Sequence, residues 1–179
     1  MPVTVDRAAS PEDVEAVRVL VREFFRWAMA EAAGTDDPDN PSVFAGLEAE
    51  LAGLPGRFGP PSGCLILARL DGEPAGCVAY YGQSPTTMEI KRMFVRPEAW
   101  GHGIGARMLE ALLAEARAAG YERHVLSTHP SLHRAQAVYR RAGFREVPCS
   151  ADFPGVVERL DLCMQMIPAA ADREESRLA

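Results

Sequence analysis

The chain has 179 residues, a formal net charge of −6 and a sequence pI near 5.3. Because nucleic-acid binding relies on clustered lysine and arginine, this balance, with Lys91 as the only lysine, argues against nucleic acid as the main partner. The 47% apolar and 25% charged residues are typical of a globular protein. No uninterrupted apolar run reaches the length of about 18 residues that a membrane span requires.

The length suits one domain, which we expect over residues 1–167, followed by a flexible tail over residues 168–179. The first residues lack the basic and apolar regions of a signal peptide, which favours a cytoplasmic location. The four cysteines form no C-x-x-C pair and lie in or beside apolar runs: Cys64, Cys77, Cys149 and Cys163. We therefore expect all four to be reduced core residues.

The first half of the chain predicts a strand, two helices and a hairpin. Val3 and Val5 alternate with polar residues as a strand, and Ser10-Pro11-Glu12-Asp13 supplies a helix cap and an acidic first turn. An apolar stripe on that helix should pack on a sheet: Val14, Val17, Val21, Phe24 and Ala28. After a polar loop over residues 33–41, a second amphipathic helix is predicted from Val43, Phe44, Leu47, Leu51 and Leu54.

A hairpin over residues 64–70 and 75–81 follows a Pro- and Gly-rich loop, and a long strand then runs from Thr87 to Val95. Alternation along that strand places Glu89, Lys91 and Met93 on one face. Four sequential strands can therefore pair antiparallel.

The second half begins with a helix from about Gly103 to Ala119, which must cross over to a parallel strand at residues 124–128. A last helix runs through Ala142, and strands follow at residues 144–147 and 157–167, separated by a loop over residues 148–155. The predicted fold class is α/β with a mixed, mostly antiparallel sheet.

Three alternating glycines, Gly101, Gly103 and Gly105, connect the long strand to the helix. The first N–H groups of a helix have no internal partner, so a glycine loop at this point lets an anion approach backbone donors. The spacing differs from the G-x-G-x-x-G of dinucleotide-binding folds, and no Lys-Ser or Lys-Thr follows as in a P-loop. We interpret the loop as a phosphate cradle and set a nucleotide-dependent oxidoreductase aside.

Two motifs follow one another along the chain: the strand with its glycine loop, and a later segment that contains Tyr139. The first comprises Met93, Val95, Pro97, Gly101, Gly103, Gly105 and Ala106, and the second comprises Leu126-Ser127-Thr128 and the segment Ala135–Phe144 with Tyr139 and Gly143. Together they resemble the GNAT superfamily of N-acetyltransferases over residues 64–147. The resemblance implies a GNAT-type sheet flanked by helices on both faces, and transfer of acetyl from acetyl-CoA to a primary amine of a small molecule by direct attack.

The resemblance also implies which residues contact acetyl-CoA: Met93, Phe94, Val95, Gly101, His102, Gly103, Ile104, Gly105, Ala106 and Tyr139. Met93, Phe94 and Val95 would offer backbone groups to the pantetheine arm where the strand splays from its parallel neighbour. By the resemblance, Tyr139 stands at the position of the family's general acid. A phenol of pKa about 10 can protonate a departing thiolate. The alternative is that Tyr139 only packs on the pantetheine.

Glu89 lies where some branches of the family carry a carboxylate that deprotonates the amine. The alternative is a buried ion pair of Glu89 with Lys91 or an arginine such as Arg92. Residues 24–63 would line the acceptor site, where Phe25 and Trp27 either pack on the second helix or form a wall of the pocket.

Two positions depart from the family pattern. Trp100 replaces the usual Arg or Gln before the first loop glycine, so a phosphate contact is lost unless His102 or Arg107 supplies charge, and Leu132 replaces a frequent Asn. We expect the cluster of Arg134, Arg140, Arg141 and Arg145 to be a solvated face, with Arg140 able to reach the adenosine phosphate. His129 and His133 lack a third ligand, so no metal is expected.

Two alternative functions stay open: a non-catalytic acyl-CoA-binding sensor, suggested by Trp100 and Leu132, and a protein or peptide N-acetyltransferase, which needs an open groove rather than a closed pocket. No membrane partner is expected. Many members of the family form dimers, which leaves a homodimer open for this chain.

Overall fold

The computed structural model of the protein describes residues 1–32, 41–149, 153 and 162–167, without the side chains of residues 29–32 and 41–45. The predictions for the loop over residues 33–40, for residues 150–152 and 154–161, and for the tail over residues 168–179 lie outside the described residues. The helices are α1 (Pro11–Ala32), α2 (Pro41–Ala52), α3 (Ile104–Ala118) and α4 (His133–Arg141). The strands are β1 (Val3–Arg7), β2 (Gly63–Leu70), β3 (Glu73–Gly82), β4 (Thr87–Val95), β5 (Arg123–Thr128), β6 (Arg145–Val147) and β7 (Leu162–Met166).

The strands form one seven-stranded sheet in the order β1-β2-β3-β4-β5-β7-β6. Strands β1 to β4 pair antiparallel in sequence, β4 pairs with β5 in parallel across the α3 crossover, and β7 pairs antiparallel with β5 and β6. This mixed, mostly antiparallel sheet confirms the predicted fold class. Among the described strands, β4 and β5 form the one parallel pair, and β4 leads into the glycine loop.

Helices cover both faces of the sheet because each helix has one apolar stripe to bury. On one face, α3 packs Met108 and Leu112 onto strand residues such as Ile66 and Ile90. Val17, Val21 and Phe24 of the predicted α1 stripe pack on the other face together with α2, and Val17 has no exposed surface there. Within the described part of the chain, no helix is long and apolar enough to cross a membrane.

The start of α1 confirms the predicted cap. The Asp13 N–H donates to the Ser10 hydroxyl at 3.1 Å, and an Asp13 carboxylate oxygen accepts the Ser10 N–H at 3.2 Å. Asp13 also accepts from Arg69 of β2 at 2.6 Å, so the cap ties the helix to the sheet. The Arg69 hydrogen bond is the leading cause that holds the pKa of Asp13 below its ordinary value.

The cysteine prediction is wrong for one pair. Cys149 and Cys163 form a disulfide with their Cα atoms 5.3 Å apart, whereas Cys64 and Cys77 are free and buried as predicted. The pairing of β6 with β7 aligns Val147 with Cys163, which brings the residue two positions after β6 within bonding range. A sequence separation of 14 without a C-x-x-C motif gave no local sign of this contact.

Candidate functional site

The two parallel strands separate after four paired positions. Their ladder runs from Thr87 opposite Arg123 to Ile90 opposite Leu126, whereas β4 continues to Val95. The space that opens between the ends of β4 and β5 is called the notch below. Its existence matches the splay that the family resemblance implied.

A β-bulge in β4 accompanies the notch. Lys91 pairs with Ala79 of β3 and Phe94 pairs with Cys77, so Arg92 and Met93 together oppose a single residue of β3. Arg92 takes a φ of 58°, a left-handed conformation that is uncommon outside glycine. Bulges re-aim the residues that follow them, and this one changes which face of the sheet the end of β4 presents.

The bulge corrects the predicted alternation. Met93 does not share a face with Glu89 and Lys91; it packs in the α3 core, and a Cβ built on Gly105 would lie 3.4 Å from the Met93 methyl group. Phe94 instead packs in the core under α1. Strict period-two counting fails at this point because one extra residue is inserted into the strand.

The backbone after the bulge points alternately to β3 and to the notch. The Arg96 N–H donates to the Ala75 carbonyl of β3 at 2.9 Å, so the groups of Phe94, two residues earlier, also face β3. Met93 and Val95 consequently turn their N–H and carbonyl groups towards the notch. The Val95 carbonyl accepts the indole N–H of Trp100 at 2.9 Å, which fixes the start of the glycine loop against the strand.

The glycine loop, residues 101–105, has the geometry of an anion cradle. Gly101 and Gly103 have positive φ values of 84° and 71°, and no heavy atom lies within 4 Å of a Cβ built on either. Gly103 is the N-cap of α3 and no side chain hydrogen-bonds to that cap. The space above the loop and the uncapped donors therefore fit a phosphate group, as the sequence predicted for this loop.

The other loop residues contribute in different ways. Ile104 is buried, so it can offer only its backbone N–H, whereas Ala106 is exposed. The exposed His102 turns Nδ1 inward, at 3.2 Å from the carbonyl oxygens of both Ala99 and Trp100. In this orientation His102 braces the loop through one ring nitrogen.

Tyr139 lies on α4, which packs beside the first turn of α3. The Val138 side chain lies 3.7 Å from a Cβ built on Gly105, so glycine at that position permits the close approach of the two helices. Tyr139 is 5% exposed, and its ring centroid lies 5.9 Å from that of Phe144. Burial raises the pKa of Tyr139 well above its ordinary value near 10, so the phenol stays protonated at neutral pH.

Glu89 lies at the last paired stretch of β4 with no exposed surface. Its Oε2 accepts the Tyr81 hydroxyl at 2.5 Å and the Gln83 amide at 2.7 Å. Its Oε1 forms an ion pair with Lys91. The ion pair that the sequence offered as an alternative to a base role is thus present.

Sequence reasoning missed Tyr81 and Gln83. Burial and the hydrogen bond to Glu89 raise the pKa of Tyr81 to about 12. The register of the β3–β4 pair, which sets Tyr81 opposite Glu89, was the available signal.

An aromatic cluster from α1 covers the opposite side of the bulge. The Trp27 ring centroid lies 6.1 Å from that of Phe94 and 6.0 Å from that of Trp100. Phe25 supports the guanidinium of Arg92 at 5.1 Å. Both aromatic residues that lie off the α1 stripe therefore contact β4 or the loop that follows it.

A chain of ion pairs joins α2 to this cluster. Glu50 of α2 accepts from Arg92 at 2.7 Å and from Arg57 at 2.8 Å, and the Arg57 guanidinium lies 4.3 Å from the Tyr81 ring centroid. Burial acts to raise the pKa of Glu50, but the hydrogen bonds and charges of the two arginines outweigh it and hold that pKa below the ordinary value.

The four arginines of the predicted solvated face are all exposed, and two of them also contact other side chains. Arg140 pairs with Glu146 and donates to Gln136 at 3.3 Å, whereas the Arg134 guanidinium lies 4.3 Å from the Trp100 ring centroid. His129 bonds Ser131 at 2.7 Å, and no group of three metal-ligating side chains occurs among the described residues.

A separate open cavity of about 440 Å³ lies beside the disulfide rather than at the notch. It is lined by Pro130, Glu146, Val147, Pro148, Cys149, Leu162 and Cys163. None of these residues belongs to the glycine loop or to β4, so this cavity is distinct from the candidate site.

Comparisons with known proteins bear on the family and the fold of the chain. The family model described as acetyltransferase (GNAT) family matches residues 17–144. An uncharacterized N-acetyltransferase of Schizosaccharomyces pombe is 29% identical over 145 residues, which cover 80% of this chain and 83% of that protein. An IAA acetyltransferase of Azospirillum brasilense is 40% identical over 88 residues, 45% of this chain and 54% of that protein.

A solved structure gives the fold comparison. The PaiA N-acetyltransferase of Thermoplasma acidophilum in complex with coenzyme A superimposes with a TM-score of 0.72 at 17% identity. The match covers 93% of this chain and 99% of that one. At this identity the likeness concerns the fold.

Proposed function

The chain belongs to the GNAT family of acetyltransferases and is an acetyl-CoA-dependent acyltransferase, and we propose that its acceptor is the primary amine of a small molecule, which attacks the acetyl thioester directly. The observation that carries this proposal is the continuity of β4. One strand presents Glu89 at its paired end and the notch-facing groups of Met93 and Val95 after the bulge, and then leads into the glycine loop.

The residues fit acetyl-CoA in the following way. Backbone donors of residues 103–106 and the open space above Gly101 would hold phosphate, and the notch-facing groups of Met93 and Val95 would bind the pantetheine arm. Acetyl-CoA supplies the activated acetyl thioester. A notch-facing main-chain N–H would polarise the thioester carbonyl and stabilise negative charge on its oxygen.

Proton transfer is assigned to two side chains. Tyr139, protonated because it is buried, donates its proton to the departing thiolate. Glu89, whose Oε1 forms the ion pair with Lys91, accepts the proton of the attacking amine. Tyr81 and Gln83 hold the other oxygen and thereby orient the carboxylate.

The preference for a small amine is supported by the wall on the acceptor side. Glu50 joins Arg57 and Arg92, and Arg57 stacks on Tyr81, so α2, the turn after it and the sheet are tied together beside Glu89. A wall whose elements are held together by ion pairs and stacking suits a closed pocket for a small molecule, whereas an extended peptide requires an open groove. A panel that pairs small amines with peptide N-termini distinguishes the two acceptor classes.

The proposed function is tested by titrating acetyl-CoA calorimetrically and by measuring CoA release with pooled amines. Replacement of Glu89 by Gln should lower kcat by about 100-fold while acetyl-CoA affinity is retained, because general base catalysis contributes roughly that much. Glu48→Gln is the matched control, since Glu48 is exposed and pairs with Arg22 on the outer surface. Binding without turnover in the wild type would instead favour a sensor.

We also propose that residues 1–167 form a single domain, that the protein acts in the cytoplasm, and that it assembles as a homodimer. The Cys149–Cys163 disulfide is the observation against the cytoplasm, since disulfides are rare in reducing compartments. Thiol counting on protein isolated under alkylating conditions tests the compartment. Light scattering tests the dimer.

A further inference from the structure

We propose that Arg134 binds a phosphate of acetyl-CoA and supplies the positive charge that Trp100 cannot provide at the glycine loop. The inference rests on the use of acetyl-CoA and concerns a residue outside the loop itself. It is carried by three observations: where α4 places Arg134, how Trp100 holds it, and which charges around it are already paired.

The position follows from helix packing. Val138 of α4 lies 3.7 Å from a Cβ built on Gly105, so α4 contacts the first turn of α3 at that point. Arg134 is four residues before Val138 and therefore lies one turn earlier on the same face of α4. One turn earlier along α4 is the level of the residues that precede α3, which are Trp100 and the glycine loop.

Trp100 fixes the side chain at this level. The Arg134 guanidinium lies 4.3 Å from the Trp100 ring centroid. The indole itself is held by its hydrogen bond to the Val95 carbonyl at 2.9 Å and by an edge contact with Trp27, whose ring centroid is 6.0 Å away. An exposed arginine is thus ordered before any ligand arrives, which reduces the entropy lost on binding.

Stacking leaves the hydrogen-bonding capacity of Arg134 intact. A guanidinium that stacks on an aromatic ring uses its face, while its N–H donors point outward in its own plane. Those donors match the oxygens of a phosphate, which arginine can bind with two parallel hydrogen bonds.

The surrounding charges leave Arg134 available. Arg140 on the same helix is paired with Glu146, whereas within the described residues no carboxylate lies within ion-pair distance of Arg134. The first turn of α3 contains no acidic residue that would repel a phosphate. Trp100 thus occupies the position before Gly101 where the family usually has a polar or basic residue, and Arg134 supplies the positive charge from α4 by stacking on the indole.

The test is the calorimetric affinity for acetyl-CoA, which does not depend on turnover. Replacement of Arg134 by Gln should weaken binding by about tenfold, the effect expected for one charge-assisted contact at an exposed site. Arg141→Gln is the matched control, because it removes the same charge from the last turn of the same helix at another exposed position, and it should stay within about twofold of wild type. Arg134→Lys keeps the charge but loses the planar stack, so its affinity for acetyl-CoA should lie between that of the wild type and that of Arg134→Gln.

Repeating the titrations with 3′-dephospho-CoA identifies the phosphate. If the Arg134→Gln effect disappears, the contact is with the 3′-phosphate; if it persists, the contact is with the pyrophosphate, and either result supports the proposal. Wild-type affinity in Arg134→Gln, an equal loss in Arg141→Gln, or a loss only in Arg107→Gln overturns it. Absence of acetyl-CoA binding by the wild type is a different failure, because it removes the proposed function as well.

Discussion

The substitution Tyr139→Phe removes one oxygen atom and should change kcat without much change in the free energy of unfolding. Tyr139 is 5% exposed, and among the described residues its hydroxyl forms no hydrogen bond that the substitution would break. The phenylalanine ring fills the same space beside Phe144. The free energy of unfolding should therefore change by less than about 1 kcal/mol, whereas kcat should fall by about 100-fold or more if the phenol protonates the thiolate.

The matched control is Tyr121→Phe, which should show the opposite pattern. The Tyr121 hydroxyl donates to the Ser62 carbonyl at 2.9 Å, and its loss leaves a carbonyl without that partner. We expect a loss of about 1 kcal/mol, seen as a fall in Tm of roughly 2–4 °C, with kcat unchanged. The assays are CoA release at saturating substrates and thermal unfolding of the same preparations.

The pH profile adds a second check on Tyr139. A proton donor acts below its pKa and is lost as the pH rises through that pKa, and burial moves the pKa of Tyr139 upward from about 10. Wild-type kcat should consequently show no decline from this group between about pH 7 and about pH 9. A Tyr139→Phe enzyme with kcat within about threefold of wild type would refute the general-acid role and leave only packing.

Two further predictions concern backbone strain and the disulfide. Gly103→Ala and Gly120→Ala each place a methyl group on a residue with positive φ and open space around it, so both should lose about 1 kcal/mol of stability. Only Gly103→Ala should weaken acetyl-CoA binding, by roughly tenfold in calorimetry, because only its methyl projects above the cradle; equal affinity in the two variants contradicts the cradle. Reduction of the Cys149–Cys163 bond, which closes a separation of 14 residues, should lower the free energy of unfolding by about 3 kcal/mol. Thermal melts with and without reductant measure this loss, and a Cys149→Ser/Cys163→Ser variant should not respond; four titratable thiols in the untreated wild type would rule the bond out.

Local signals in the sequence predicted the elements that build the site. The strand ending before Pro97, the alternating glycines and the apolar spacing of α3 each follow from the conformations that these residues permit, and the structure has them in that order. The pairing of β1 to β4 also followed, because short connections make sequential strands antiparallel neighbours.

Contacts between distant segments could not be predicted in the same way. The bulge occurs at Arg92, which has a positive φ although it is not a glycine. Because no glycine marked this position, strict alternation placed Met93 on the wrong face. The stacking of Arg134 on Trp100 depends on how α4 packs against α3. The disulfide depends on the register of the two last strands, which no local spacing reveals.

The bulge at Arg92 also bears on how this enzyme could change its substrate. Before the bulge, the side chains of Glu89 and Lys91 face the layer of α1 and α2; after it, Met93 faces α3 and the glycine loop. Under the proposed function, substitutions in α2 or in the turn that follows it should therefore alter the acceptor side without contacting the residues assigned to acetyl-CoA. The inserted residue separates the face of β4 proposed for the acceptor from the face proposed for acetyl-CoA, so libraries that aim to change the acceptor can be confined to the first face.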